Sequence, residues 1–509
     1  MIAIAVAIGI GRGVPALVIA PTIASIRIPA AGPGSPHGPR SVETVVFAAS
    51  RAATAAARQD GHALTVDGAR RFQTIDGFGV NANPASWNGG RLTSALDLLA
   101  DQLNATVWRV IVESTENWET RNDNSDPNVF DWAYYNALYS SAKFQNVWGV
   151  LDYLKRKAVP VIMVNVMGVV PAWMGGDTIA NEDEFVEMVT SFLYYARNTK
   201  GLRIDIISPL NETDLGAPEG PAVDSTEYVR ILDKLVTRLH ALGLGSIRVL
   251  GPDTAYVTSA VSNYIPAMLK NPAVMAQIDH FGLHNYHGDS GNAAGVIRRS
   301  RYPSRNFWMT EWASQCPGCD TGTSSGDEWG FAKGTVENLF NHLRDGAAAA
   351  LVYDAYDSFY EHHGSVGYWG LLSHDPTSGT YAPKKRFYAA LQVFRFVSPG
   401  SIRIGATASG PGLQAQAFHH AGSGRTTIVG RNAAPSAVTV RGSLTNLPPI
   451  GRLELYQTTG TRNFERGADV AVSDGEFSVT IAPDSIFTLT SAGDRQLSFE
   501  PTSRGPGQR

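Results

Sequence analysis

From about residue 62 onward the chain alternates short apolar runs with stretches of helical period. The runs are Thr74–Gly79, Val107–Val112, Val161–Val166, Ile204–Ser208, Ile247–Gly251, His280–Tyr286, Phe307–Glu311 and Ala349–Tyr353. They are continuously apolar rather than alternating, as in parallel strands covered on both faces. Between them apolar residues recur at helical spacing: Leu92, Leu96, Leu99 and Leu103; Val147, Val150, Leu151 and Leu154; Phe185, Met188, Val189 and Phe192; Tyr228, Ile231, Leu232 and Leu235. Asp224-x-x-Glu227 reads as a cap for the last of these. Phe331–Arg344 and Arg386–Phe396 supply two more helices, and Asn292–Arg301 a short, weak one. Eight such units predict an α/β fold, a (β/α)8 TIM barrel spanning residues 73–397.

Near Val397 the period changes to two. LQAQAF, RTTIVG, SAVTVR, RLELYQ, EFSVTI and IFTLTS are separated by Gly, Pro and Asn, which predicts an appended antiparallel β-sandwich over 398–494. His62–Phe72 is also strand-like and is expected to join that sandwich. Residues 1–60 hold two apolar stretches broken by Gly11-Arg12-Gly13, with Pro15 and Pro21 in the second and no basic segment ahead of Ile2. They read as a leader or export segment of uncertain boundary, with a misassigned start as the alternative, so a secreted or extracytoplasmic location is expected. Residues 495–509 read as a disordered tail. No later run reaches the ~20 apolar residues of a membrane helix, so no stable membrane insertion of the mature chain is expected.

Composition narrows the function. Apolar residues are 43% of the 509, enough for a large core. With 42 Lys+Arg against 46 Asp+Glu the net charge is −4 and no basic block occurs, which argues against a nucleic-acid partner. The two cysteines, Cys316 and Cys319, are too few for a disulfide scaffold or a Cys-rich zinc module, and a loop-closing disulfide is favoured over a redox or metal pair. No Gly-rich loop has the strand–turn–helix context of a phosphate cradle. A monomer without cofactor is expected.

Barrel active sites lie at the C-terminal ends of the strands. Strand four runs into Ser208-Pro-Leu-Asn211-Glu212 and strand seven ends in Trp308-Met-Thr-Glu311-Trp312. Either glutamate alone could be a solvated loop residue. Together they form a carboxylate pair across one cleft, which suits glycosidic-bond cleavage: one protonates the leaving oxygen, the other attacks or activates water.

FQTIDGFGVN at 72–81, WRV at 108–110, PAWM at 171–174, LNE at 210–212, HNYHG at 284–288 and MTEW at 309–312 carry a wider likeness. In this ordered set the sequence resembles clan A of the glycoside hydrolases, and most of all glycoside hydrolase family 30. The resemblance implies a carbohydrate substrate, Glu212 as general acid/base and Glu311 as nucleophile. It implies that Asn211 bonds the sugar 2-hydroxyl, that Arg109 keeps Glu311 ionised and that Tyr286 donates to Glu311. Trp173 would line a sugar subsite, Trp369 would stack on a pyranose, and His284 would join the substrate-binding set. Arg109 reads also as a structural ion pair, and Trp369 and Tyr286 as core. Thr213 stands where members often have Pro. Glu113 is a reserve catalytic candidate beside Glu116, and Asp354 and Asp357 are hydroxyl ligands or solvated acids. The loops 113–136, with Trp118 and Trp132, and 316–329 are expected to wall the cleft. The mechanism implied is retaining, with Glu212 raised in pKa by partial burial and, more, by the charge on Glu311.

Two other readings stay open. His284, His287, His362 and His363 could serve a metal-dependent barrel hydrolase, although no His-Glu-x-x-His occurs. Alternatively, the chain could be a non-catalytic glycan-binding protein.

Overall fold

The computed structural model describes residues 61–113, 117–286 and 289–491. The expected leader at 1–60, the expected tail at 495–509, Glu116 and His287 lie outside the described residues. The first strand, β1 (His62–Thr74), belongs to the C-terminal β domain. Eight parallel strands then close a barrel: β2 (Gly77–Ala82), β3 (Val107–Val112), β4 (Val161–Val166), β5 (Ile206–Ser208), β6 (Arg248–Thr254), β7 (Ile278–His284), β8 (Asn306–Trp312) and β9 (Ala349–Val352). β9 returns to β2 with Gly77 opposite Ala349. The first barrel strand starts three residues later than its apolar run suggests, because Thr74 is still paired with Ile402. β6 runs on through Pro252 and Asp253 to Thr254, beyond the expected end at Gly251.

Strand alternation sorts each strand's residues between two cores. Val107, Met163, Ile206, Leu250 and Trp308 fill the barrel interior. Trp108, Ile162, Val164 and Ile207 face the helices. Two residues further toward the C-terminal end, the inward register of β3, β4 and β5 passes from Val107, Met163 and Ile206 to Arg109, Asn165 and Ser208, all with no exposure. The barrel is therefore apolar at its base and polar at its mouth.

Long helices cover the outside at Ala142–Arg156, Glu182–Tyr194, Ser225–Ala241, Glu328–Asp345 and Lys385–Phe394. Asp224 caps the third, accepting from the amides of Thr226 at 2.7 Å and Glu227 at 2.9 Å. The leucine stripe from Leu92 forms a five-residue helix, Thr93–Asp97, continued by a π turn, Leu98–Gln102. A helix at Trp132–Tyr139 was not expected from periodicity; Asp131 caps it.

The segment after β9 folds as two small hairpins, β10 (Ser358–Tyr360) with β11 (Ser365–Gly367) and β12 (Leu372–Asp375) with β13 (Thr380–Pro383). Nine further strands follow: β14 (Ile402–Ser409), β15 (Leu413–His420), β16 (Arg425–Asn432), β17 (Val438–Thr445), β18 (Arg452–Thr459), β19 (Glu465–Arg466), β20 (Val470–Ser473), β21 (Glu476–Ile481) and β22 (Ser485–Ser491). With β1 inserted among them and β19 paired only on β18, the order is β18-β20-β21-β17-β1-β14-β15-β16-β22, and β22 pairs with β18, so nine of the ten strands close on themselves. The domain is mixed rather than purely antiparallel as expected. β1 runs antiparallel to β14 but parallel to β17. It reaches β17 from a distant part of the chain, so no hairpin turn dictates its direction. Gln392 ties the barrel to this domain, donating to Thr458 Oγ1 at 2.9 Å and accepting from Thr488 Oγ1 at 2.6 Å.

Candidate active site

Glu311 is the penultimate residue of β8 and points into the barrel mouth, 4% exposed. Its Oε1 accepts from Arg109 Nη1 in a close ion pair, and its Oε2 from the Tyr286 hydroxyl at 2.9 Å. Arg109 is fully buried. It also donates to Asn81 Oδ1 and Asn211 Oδ1, each at 2.7 Å, and pairs with Asp253 at 3.3 Å. Asp253 in turn accepts from Ser208 Oγ and Thr310 Oγ1, both at 2.5 Å. A Cβ on Gly282 would sit 2.0 Å from Asp253 Oδ1, so this position on β7 must be glycine for the carboxylate to fit.

Glu212 follows β5 by four residues and is 7% exposed. Its φ is +44°, a left-handed conformation rare for a residue with a side chain. The surroundings hold it there: its amide donates to Asp253 O at 2.8 Å, and its carbonyl accepts from the amides of Leu215 and Gly216. The loop returns at Gly220, where a Cβ would lie 1.9 Å from Asn211 O. His284 Nδ1, at the end of β7, lies 2.7 Å from Glu212 Oε1 and 3.6 Å from Glu311 Oε2. One oxygen of Glu212 lies within 4.8 Å of one of Glu311.

The two glutamates differ in what surrounds them. Burial raises Glu311, while His284, Arg109 and the Tyr286 hydroxyl pull it back toward the ionised form. Glu212 is raised well above the carboxylate range, first by burial, then by the charges of Glu219 and Asp214. The charge on Glu311, expected from sequence to be its main cause, is not among the leading ones. Burial lowers His284.

Both glutamates open onto a cleft of about 270 Å³, lined also by Met167, Tyr286, Tyr353 and Trp369. Leu215 and Tyr256 stand exposed on its rim. A larger cavity of about 500 Å³ lies at the opposite end of the strands, lined by Arg197, Arg203, Asp205 and Arg248.

The structure gathers Arg109, Asn211, Glu212, His284, Tyr286 and Glu311 around one point. Several sequence expectations need correction. Trp173 is not part of the cleft wall: it packs on the barrel–helix core, and its indole donates to Glu119 O at 2.7 Å. His284, placed in the substrate-binding set, has no exposure and lies against Glu212 and Glu311; Arg109, also with no exposure, pairs with Glu311 and Asp253. Asn211 is 1% exposed and gives both ends of its amide to the protein, the second to Glu219 O at 3.2 Å. Trp369 is on the cleft, 5.3 Å from Tyr286 between ring centroids, with its indole on Asp320 Oδ1 at 2.5 Å. Trp118 and Trp132 pack in the aromatic cluster with Phe144, Phe192 and Tyr194 and do not wall the cleft. Asp354 and Asp357 are buried, not solvated: Asp354 accepts from the Tyr360 hydroxyl and Asp357 from Lys384 at 2.6 Å. Cys316 and Cys319 form a disulfide in the loop that presents Asp320.

Glu113 is engaged elsewhere, accepting from Asn83 Nδ2 and meeting His362 Nδ1 at 2.8 Å. His362 Nε2 and His363 Nε2 each lie 3.2 Å from Glu219. Burial opposes charge on His362, but the carboxylates of Glu113 and Glu219, which accept from its ring, raise it to about 10, so it is an imidazolium between two carboxylates. The described histidines among those considered for a metal thus divide between two places: His284 with Glu212 and Glu311, and His362 with His363 and Glu219.

Asp253, Asn81, Glu219 and Tyr353 escaped sequence reasoning. Asp253 could have been found by carrying the sixth strand through Pro252 and keeping the inward register.

A closed parallel barrel with glutamates ending its fourth and seventh strands is the architecture of clan A glycosyl hydrolases. No family model matches the chain. It is 24% identical over 439 residues to glucuronoxylanase XynC of Bacillus subtilis (strain 168), across 84% of this chain and 91% of that protein. Among solved structures, a GH30 endoxylanase from Clostridium papyrosolvens C71 superposes with a TM-score of 0.64 at 19% identity, covering 84% of this chain and 99% of that one. The catalytic domain of GH30 xylanase C from Talaromyces cellulolyticus gives 0.64 at 17%, covering 84% and 100%. By these likenesses the chain is a glycosyl hydrolase in class, and within the class its resemblance is to family 30. No helix among the described residues is long and apolar enough to cross a membrane.

Proposed function

We propose that the chain is a retaining glycoside hydrolase that cleaves β-glycosidic bonds in a polysaccharide by double displacement. The observation that carries this is the approach of Glu212 and Glu311 oxygens to within 4.8 Å. Retaining enzymes hold their carboxyls ~5–5.5 Å apart; inverting ones need ~6.5–9.5 Å to admit a water. The unequal surroundings assign the roles. Glu311, held by Arg109 and Tyr286, attacks the anomeric carbon as a carboxylate. The bond from that carbon to the departing oxygen breaks as Glu212 delivers its proton there. A water then loses a proton to the Glu212 carboxylate, its oxygen bonds to the anomeric carbon, and Glu311 leaves. The product keeps the original configuration, and Glu212 is protonated again.

Xylan is the substrate to test first, since the curated relative is a glucuronoxylanase and the two solved structures compared above are xylanases. Action on a polymer places the enzyme outside the cytoplasm, and one chain carries the whole site, so a monomer suffices. The test is proton NMR of the first anomer released from β-1,4-xylan. A β-anomer appearing before mutarotation is expected; an α-anomer overturns the retaining mechanism. Binding of oligosaccharides with no release of reducing ends from xylan, β-glucan or galactan overturns the hydrolase reading in favour of a glycan-binding protein.

A further inference from the structure

Away from the cleft, the loop after β3 and the helix Glu182–Tyr194 bury four carboxylic acids together: Glu119, Asp123, Glu184 and Glu187, at 0%, 9%, 4% and 1% exposure. Three of them are half-satisfied. Asp123 Oδ2 accepts from the Asp131 amide at 2.7 Å and Asn124 Nδ2 at 3.0 Å. Glu184 Oε1 accepts from Asn122 Nδ2 at 3.1 Å, and Glu119 Oε2 from the Tyr135 hydroxyl at 3.2 Å. The remaining oxygens, Asp123 Oδ1, Glu184 Oε2, Glu119 Oε1 and both of Glu187, are buried with no hydrogen-bond partner. One oxygen each from Asp123, Glu184 and Glu187 fall within 4.8 Å of one another.

Nothing in the described chain balances this charge. The cations beside the helix, Arg230 and Lys234, pair with Glu182 and Asp183. A buried carboxylate without a cation costs several kcal/mol. Burial and the neighbouring acids accordingly push Glu119 up to about 8 and Glu187 up to about 9. Unpartnered oxygens aimed at one another are also what a hard cation requires. Calcium binds oxygens at ~2.3–2.6 Å, so ligands on opposite sides of one ion stand at most about 5 Å apart. The absence of nitrogen or sulfur in the set favours calcium over zinc. Magnesium, which keeps much of its water, has less use for a cage with this many protein oxygens.

We propose that Asp123, Glu184 and Glu187, flanked by Glu119, form a calcium site that pins the loop after β3 to the helix Glu182–Tyr194. Through Trp173, whose indole holds Glu119 O, the same ion steadies the loop after β4.

The full chain, stripped with EGTA and dialysed, is titrated with CaCl2 by calorimetry and melted with and without the ion. About one Ca2+ per chain is expected, with a rise in melting temperature of about 3–5 °C at 1 mM CaCl2. MgCl2 at the same concentration should give less than half the shift. Glu187→Gln should lose the shift yet melt, in chelator, no lower than the parent, because the neutral amide stands in for a carboxyl that holds a proton when no ion is bound. Asp123→Asn, which keeps the oxygen that accepts from Asp131, should lose the shift too. A stripped parent that neither binds calcium nor changes its melting temperature overturns the site, as does a full shift retained in both variants.

Discussion

Two groups of buried acids sit in this molecule and are balanced differently. At the barrel mouth Glu212, Asp253 and Glu311 surround a fully buried arginine. On the side of the barrel Glu119, Asp123, Glu184 and Glu187 surround no cation of the described chain. Burial penalises the charged form in both places. At the mouth the compensation is internal but uneven: Arg109 reaches Glu311 and Asp253 and does not reach Glu212. On the proposed mechanism that unevenness leaves Glu311 to attack as a carboxylate and Glu212 to donate as an acid, the division two-glutamate chemistry needs. On the side of the barrel no cation among the described residues offsets the charge, and the group is left to take up protons or a metal ion.

The strongest way to break the comparison is to remove the partnered glutamate. Glu311→Gln should lower turnover by on the order of 10⁴-fold or more, as removal of other covalent nucleophiles does, with the melting temperature little changed. A variant that keeps several per cent of the parent rate ends the assignment. Next comes the arginine. Arg109→Met leaves Asp253 and Glu311 buried without their cation and should cost about 3–5 kcal/mol in urea unfolding. Glu187→Gln on the side of the barrel should show no such cost. If both variants destabilise alike, the two groups are not balanced differently.

The side group should also govern stability against pH. Glu119 and Glu187 stand at about 8 and about 9 in the folded chain, above the ~4.3 of an unfolded glutamate. The folded state therefore holds protons that the unfolded state has lost. Their contribution is complete below about pH 4 and is lost as pH rises toward 8 to 9, by up to about 1.4 kcal/mol per pH unit for each group. Urea unfolding in chelator between pH 5 and 9 should show the decline, 1 mM CaCl2 should flatten it, and Glu187→Gln should reduce it.

A smaller effect sharpens the role of Glu212. Asp214 is one of the charges that raise it, and its oxygens accept from the amides of Ala255 and Tyr256. Asp214→Asn should move the alkaline limb of kcat to lower pH, since the acid loses its proton more readily. A limb that moves up or stays in place argues against Glu212 as the donor. The smallest effect is expected at Trp173. Trp173→Phe should cost one hydrogen bond, ~0.5–1.5 kcal/mol, and leave KM for the polymer unchanged.

Barrel strands were legible because a strand covered on both faces must be apolar throughout, a pattern that survives without knowledge of its neighbours. Glu212 and Glu311 stood out as acids at the ends of such runs. Asp253 did not, because Pro252 reads as the end of a strand that in fact continues. The tryptophans were ambiguous for another reason. An indole serves equally as core or as sugar platform, and Trp173, Trp118 and Trp132 went to the core while Trp369 reached the cleft. The direction of β1 beside β17 was equally invisible, since no local turn encodes a pairing between residues so far apart in sequence.

The order of residues by itself determined the eight-unit alternation, the change to period two after Val397 and the placing of two acids at strand ends, because hydrophobic period is a local property of the chain. Tertiary structure alone decided which acid has a cation, which histidine meets which carboxylate and which acids on the side of the barrel have none. Charge partnership depends on distances of a few ångströms between residues far apart in sequence, and only the closed barrel sets those distances.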